Sequence, residues 1–253
     1  MRPVLVVLHQ ETSTAGRVGT LLAARGMALD IRRPRFGDPL PDTMDGHAGA
    51  VVFGGPMSAN DGDDWLRRET DWLAVPLSEG APLLGICLGA QMMVRHLGGR
   101  VAPHAGGRAE IGYYPLVPTD AGAALMDWPG HVYQWHREGF DLPAGATLLA
   151  AGGDFPNQAF QAGPAAFGLQ FHPEVTHHMM CRWTTRGAER LCLPGAQPRE
   201  HHFDGRALHD GAVRRWLGEF LELWLGRDRR AAADPARTAG AGFRLAEAAA
   251  PSR

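Results

Sequence analysis

Cys87 stands inside GICLGAQ (residues 85–91), at the end of an apolar run from Pro82 to Ile86, with Gly85 two positions before it and Gly89 two after. Far downstream, FGLQFHPEV (167–175) carries His172, with Glu174 two positions later. A thiol, an imidazole and a carboxylate are the parts of a covalent hydrolase. One attacks, one takes and returns the proton, and one orients and charge-stabilises the base. Either motif alone would be ordinary, because a lone cysteine is most often a small buried hydrophobe and a lone histidine a satisfied polar residue. It is their joint presence that points to chemistry.

Such groups must be delivered by the backbone. The pattern around Cys87 predicts a strand that turns sharply into a helix, Met92 to Leu97, with the cysteine at the apex. The flanking glycines let the chain take the strained torsions of an elbow and keep side chains out of a substrate's way. A sulfur at a helix N-terminus also feels the positive end of the dipole, which favours thiolate. With Gly168 to Phe171 as a strand, His172 lies at its C-terminal end, and Pro173, lacking an N–H, ends the ladder.

Together with GGPMS (54–58), these motifs resemble the class I glutamine amidotransferases, the Cys-His-Glu family that frees ammonia from glutamine. The likeness is to stand-alone chains similar to the glutaminase domain of GMP synthase. Its three motifs stand in family order, and it covers about residues 1–190. The resemblance implies a doubly wound α/β fold: a mostly parallel sheet flanked by helices, with a small antiparallel extension. It implies a γ-glutamyl thioester on Cys87 and an oxyanion hole built from the backbone N–H groups of Gly55 and Leu88. By motif position, Gly54, Gly55, Pro56 and Gln91 contact the substrate. Glycine at position 55 suits that role, since a side chain would obstruct the approach of a developing oxyanion. HREGF (136–140) falls where relatives place a histidine followed by residues that hold the α-amino and α-carboxylate groups of glutamine. Here His136 is followed by Arg137 and Glu138, where many relatives carry small or uncharged residues. These charges either recognise the zwitterionic end of glutamine or of another γ-glutamyl compound, or pair with each other or with solvent near the rim.

The 253 residues, 45% of them apolar, suffice for one substantial core and leave no room for a second full catalytic domain. A net charge of −2 gives no electrostatic case for nucleic acid or an anionic membrane. No run approaches membrane-spanning length, and MRPVLVVLHQ is not a secretory leader. The three cysteines, Cys87, Cys181 and Cys192, form no disulfide framework, and a reactive Cys87 suits a reducing compartment, so a cytoplasmic location is expected.

Val4 to Leu8, Ala28 to Ile31 and Ala50 to Phe53 read as strands and Thr14 to Arg25 as a helix. Asp64 to Leu77 reads as a helix broken near Pro76, with Asp63 and Asp64 as caps. This alternation predicts a sheet with its site at the carboxyl ends of the strands. Ile111 to Val117, His131 to Trp135, Thr147 to Ala150 and Gln158 to Phe160 read as short strands of an antiparallel extension closing over the site. Thr176 to Leu191 is helical, 193–210 polar and turn-rich, and Gly211 to Leu225 an amphipathic helix. One domain spans 1–226, and the Arg/Ala/Gly-rich 227–253 reads as a disordered tail.

His177, His178 and Cys181 share a helix face but have no further ligands nearby, so a surface or packing role is favoured and no metal or other cofactor is expected. His201-His202 reads as loop. No G-x-x-x-x-G-K-[ST] phosphate loop and no Ser-Gly-Gly-x-Asp-Ser signature occurs, so any ATP-dependent acceptor chemistry belongs to a separate synthetase subunit. Three functions fit in descending order: glutamine hydrolysis releasing ammonia, hydrolysis of a γ-glutamyl amide or peptide by the same three residues, and a non-catalytic regulatory subunit.

Overall fold

A computed structural model of the protein describes residues 1–233, and the side chains of 1–226. The chain runs β1 (Val4–Val7), α1 (Gly16–Ala24), β2 (Leu29–Arg32), β3 (Gly49–Val52), α2 (Asp64–Trp72), α3 (Ala74–Ser78), β4 (Leu83–Ile86) and α4 (Leu88–His96). It continues with β5 (Val101–Pro103), β6 (Glu110–Pro115), β7 (Val117–Pro118), α5 (Asp120–Leu125), β8 (His131–His136), β9 (Glu138–Phe140), β10 (Thr147–Ala151), β11 (Asn157–Ala162) and β12 (Ala166–Leu169). The helices α6 (His177–Arg186) and α7 (Arg199–Ala233) close the described chain.

Eight strands form one sheet in the order β2-β1-β3-β4-β12-β11-β10-β7. The first five are parallel, and β11, β10 and β7 continue antiparallel. β5 with β9 and β6 with β8 make two further antiparallel pairs. This is the doubly wound fold with an antiparallel extension expected from the sequence. VLVV, GAVV, LLGI and AFGL of β1, β3, β4 and β12 are buried at every position, because a parallel sheet is covered on both faces. Successive side chains divide between the covers. Val4, Val6 and Leu8 pack with Trp216, Phe220 and Trp224 of α7, while Leu5 and Val7 pack with Met92 and Val94 of α4 on the other face.

Several boundaries differ from the sequence reading. α4 begins at Leu88, directly after Cys87, rather than at Met92. The Asp64–Leu77 helix breaks at Leu73 rather than at Pro76, which falls in the first turn of α3, where a missing N–H costs little. Asp63 sits at the cap position of α2 without a side-chain capping bond. α7 starts at Arg199, inside the stretch expected to be turns. Its early turns are held by tertiary contacts that composition does not show. A Cβ on Gly205 would come within 2.6 Å of the Tyr113 ring, so this glycine serves close helix–sheet approach rather than a helix end. Asp210 takes both Nη2 contacts of buried Arg17, at 2.7 and 2.8 Å. His202, expected in a loop, is buried on α7 and bonds the Tyr133 hydroxyl at 2.9 Å. α7 also runs past Gly226 to Ala233, and the remainder of the expected tail lies outside the described residues. No described helix is long and apolar enough to cross a membrane.

Candidate active site

The site lies where the parallel strands end. β4 and β12 are neighbours, with Leu169 paired to Ile86, so the chain leaving each strand emerges at the same edge. Cys87 follows β4 directly and its N–H donates to the Leu169 carbonyl at 2.7 Å. His172 follows β12 by three residues, and its N–H donates to the Tyr133 carbonyl of β8 at 2.8 Å. The sheet register therefore brings together two residues separated by more than eighty positions in sequence.

Cys87 has φ 51° and ψ −105°, the only positive φ of a non-glycine residue among those described. Holding a side chain in that region costs about 1–3 kcal/mol and persists only where the surroundings over-determine it. The glycines beside it work differently from the sequence expectation. Neither Gly85 nor Gly89 has a positive φ; instead each makes room. A Cβ on Gly85 would stand 2.7 Å from the Gly89 backbone, and one on Gly89 only 2.1 Å from the Val52 carbonyl oxygen. The cysteine takes the strain, and the glycines let β3, β4 and α4 close around it.

His172 and Glu174 are 5% and 2% exposed, with Nδ1 to Oε1 at 2.8 Å. Nε2 of His172 is buried and has no hydrogen-bond partner among the described residues. Burial by itself would lower the imidazole's pKa, but the charges of Glu174 and Cys87 outweigh it and hold the group up at about 10. The Trp183 ring meets the imidazole edge to face, with centroids 5.0 Å apart. Gln170, which the sequence reading passed over, directs Nε2 to the Cys87 sulfur at 3.7 Å. It stands two residues before His172, and the period-two alternation of a strand was the available signal for it.

Gly54 and Gly55 form the opposite wall. A Cβ on Gly54 would lie 2.9 Å from Cε1 of His172 and 3.4 Å from Cβ of Cys87. The N–H groups of Gly55 and Leu88 have no hydrogen-bond acceptor among the described residues. On the far side, the Gly54 carbonyl accepts from Nδ1 of His9 at 3.2 Å, and Nε2 of His9 meets Oε1 of Glu69 at 2.7 Å. His9 and Glu69 are fully buried. The sequence carried no signal for this pair, whose members lie 60 positions apart.

A cavity of about 210 Å³ opens above Cys87, His172, Gly55 and Pro56, and Trp135 and Trp183, packed edge to face with centroids 5.7 Å apart, also line it. Its mouth carries Arg182, Arg186 and Arg190 against a single acid, Glu189. The other residues expected to bind substrate lie elsewhere. Gln91 is 3% exposed and donates to the Glu138 carbonyl at 3.0 Å and to Oε1 of Gln170 at 3.2 Å. His136 bonds the Glu138 carbonyl at 2.9 Å and Oε2 of Glu110 at 3.0 Å. Glu138 accepts from the Ser58 hydroxyl at 3.0 Å, and Arg137 is exposed. None of these four side chains lines the cavity. Nor do Arg137 and Glu138 pair with one another. Cys181 and His177 approach to 3.5 Å, and no group of three His, Cys, Asp or Glu side chains among the described residues is placed to hold a metal ion.

The family model of the glutamine amidotransferase class-I proteins matches residues 19–182. The glutamine amidotransferase-like protein YfeJ of Salmonella typhimurium is 31% identical over 67% of this chain and 74% of its own length. The glutamine-hydrolysing GMP synthase of Aeropyrum pernix is 33% identical over 71% of this chain and 36% of its own. The chain thus spans about a third of the length of that relative. Among solved structures, a glutamine amidotransferase of Methylobacillus flagellatus superposes with a TM-score of 0.83 at 26% identity, covering 90% of this chain and 95% of the other. A second, from Thermotoga maritima, gives 0.80 at 27% identity, over 88% of this chain and 98% of the other.

Proposed function

The chain belongs to the class I glutamine amidotransferase family, and from that premise we propose that it hydrolyses the side-chain amide of glutamine through a γ-glutamyl thioester on Cys87, releasing ammonia. The observation that carries this reading is the β4–β12 register, which sets Cys87 beside a buried His172–Glu174 pair whose outer nitrogen is uncommitted. The Cys87 sulfur attacks the amide carbon, and the oxygen takes up negative charge against the free N–H groups of Gly55 and Leu88. Gln170 steadies the sulfur from the side. His172, held protonated by Glu174 and the thiolate, gives its proton to the departing nitrogen, and ammonia leaves. Water then attacks the thioester with His172 as base. Glutamate departs, the sulfur leaves as thiolate, and His172 keeps the proton it took from water, which restores the starting pair. Glu174 keeps the imidazole oriented through its bond to Nδ1.

The cationic mouth supports a substrate with a carboxylate at the end away from its amide, and glutamine is such a molecule. Arg182 on α6, whose Nη1 donates to the Thr12 carbonyl at 2.9 Å, is already fixed in place for that contact. The ammonia then passes to an acceptor-activating synthetase or to solvent. The same three arginines, together with Trp135 and Trp183 in the cavity lining, favour a second substrate class: γ-glutamyl amides whose amine portion is apolar or acidic. Steady-state ammonia or amine release from glutamine and a panel of γ-glutamyl amines, with Cys87→Ser as blank, tests the proposal. Release of ammonia from glutamine above the blank is expected. Turnover of amine conjugates with none of glutamine would move the assignment to γ-glutamyl hydrolysis, and no turnover of either would remove the enzymatic reading.

A further inference from the structure

We propose that the buried His9–Glu69 pair fixes the orientation of the Gly54–Gly55 peptide and so aims the Gly55 N–H into the cavity beside Cys87. His9 and Glu69 are then positioning residues for the hydrolysis proposed above, on which this inference rests. A trans peptide holds its C=O and the following N–H on opposite sides, and no described peptide is cis. The Gly54 oxygen is turned to Nδ1 of His9, 3.2 Å away. The Gly55 N–H therefore points away from His9, to the side on which Gly55 lines the cavity with Cys87.

A clamp is needed here because of the residue types. A peptide between two glycines rotates more freely than any other, since neither Cβ restricts it. Turned over, it would present a carbonyl oxygen where negative charge must build, replacing attraction with repulsion. Neither glycine can be exchanged for a stiffer residue. A Cβ on Gly54 would meet the His172 ring at 2.9 Å, and one on Gly55 would press Leu88 at 3.0 Å and His9 at 3.1 Å. Restraint has to come from outside the peptide.

His9 and Glu69 provide it from within the core. Both ring nitrogens of His9 face acceptors, the Gly54 carbonyl and the Glu69 carboxylate, and only an imidazolium donates to both. Glu69, on α2, supplies the counter-charge; its second oxygen has no other partner among the described residues. Burial opposes that protonated state, but the charge and hydrogen bond of Glu69 overcome it and the pKa of His9 is raised. The other charge facing the ring is Arg35, whose Nη1 donates to the His9 carbonyl at 3.4 Å. Trp65 of α2 packs against the imidazole, with centroids 5.8 Å apart. The pair thus ties α2 and the end of β1 to the one peptide whose direction matters.

The test is glutamine hydrolysis by His9→Phe, Glu69→Leu and Glu69→Gln beside wild type and Cys87→Ser, with the rate of Cys87 alkylation by iodoacetamide measured on each. Alkylation needs the cysteine and its histidine but no oxyanion donor. His9→Phe and Glu69→Leu are expected to lower kcat by about 10²–10³-fold, as loss of one such donor does, with KM and the alkylation rate little changed. Glu69→Gln still bonds Nε2 of a neutral His9 and so holds the Nδ1–H tautomer and the ring aimed at Gly54. Leu leaves Nε2 unbonded in the core and the ring free to turn, so Glu69→Gln should keep far more turnover than Glu69→Leu. Should His9→Phe fail to fold, this Gln-against-Leu contrast decides on its own. Equal kcat in Glu69→Gln and Glu69→Leu, or turnover and alkylation lost in parallel, would overturn the inference alone. Wild-type ammonia release no greater than that of Cys87→Ser would overturn the proposed hydrolysis, and the inference with it.

Discussion

Two buried histidine–glutamate pairs face Gly54 from opposite sides. His172 meets Glu174 at 2.8 Å and His9 meets Glu69 at 2.7 Å, so in chemistry and burial they are nearly the same object. They differ in the second ring nitrogen. On His172 it is left without a hydrogen bond, on the side of Cys87, whereas on His9 it is committed to the Gly54 carbonyl. A histidine moves a proton only through a nitrogen that is free to let it go. The first pair can do chemistry; the second can only hold something still. Neither burial nor a raised pKa separates the two, because both have both.

The comparison breaks most visibly on the catalytic side. Cys87→Ser and His172→Ala should each lower kcat by about 10⁶-fold, as expected where nucleophile and base act as a unit. Loss of this size in a His9 variant would erase the distinction between the pairs. Next comes Glu174→Gln, which should cost about 10³–10⁴-fold, since it keeps shape but removes the charge that stabilises the imidazolium. The sign of its pH effect follows from the same charge. Glu174 raises the His172 pKa, so wild-type kcat/KM should hold until that proton is lost near pH 10, and the alkaline limb should move to lower pH in Glu174→Gln. The stability contributed by the raised group is fully present below pH 6.5 and lost as pH rises through about 10, which a series of thermal midpoints reads directly. An unmoved alkaline limb would detach Glu174 from His172.

Smaller effects sharpen the picture around the cavity. Gly89→Ala would drive a Cβ to 2.1 Å from the Val52 carbonyl oxygen, and by overpacking should destabilise by about 1–3 kcal/mol in denaturant unfolding. At the mouth, Arg182→Ala should raise KM for glutamine by about tenfold, the lower end for a charge-assisted bond, with kcat little changed. Arg137→Ala should leave both constants near wild type, since that side chain is exposed and outside the cavity. The reverse order of KM effects would restore the reading in which HREGF holds the substrate.

What the sequence made legible follows from distance along the chain. His172 and Glu174 are two residues apart, and the β-branched and leucine runs before Cys87 and across Val4 to Leu8 declare buried parallel strands. His9 and Glu69 carry no such signal, because only the folded sheet brings α2 to the end of β1. Gly85 and Gly89 were visible as glycines but not in their purpose. Spacing suggests torsional freedom, and only the packing reveals that they admit a neighbouring backbone while Cys87 takes the positive φ. The first turns of α7 were hidden for a similar reason. Gly205 and a polar composition read as turns, yet the Tyr113 ring and the Arg17–Asp210 pair hold a helix there.

The central claim is that Cys87 becomes covalently γ-glutamylated with His172 returning the protons. Rapid acid quench of the enzyme during glutamine turnover, followed by intact and peptide mass spectrometry, tests it most directly. A γ-glutamyl adduct on Cys87, absent from half-buried Cys181 and exposed Cys192 and no longer formed when His172 is replaced by alanine, is the expected result. Ammonia release that persists in Cys87→Ser, or an adduct on either other cysteine in place of Cys87, would contradict it.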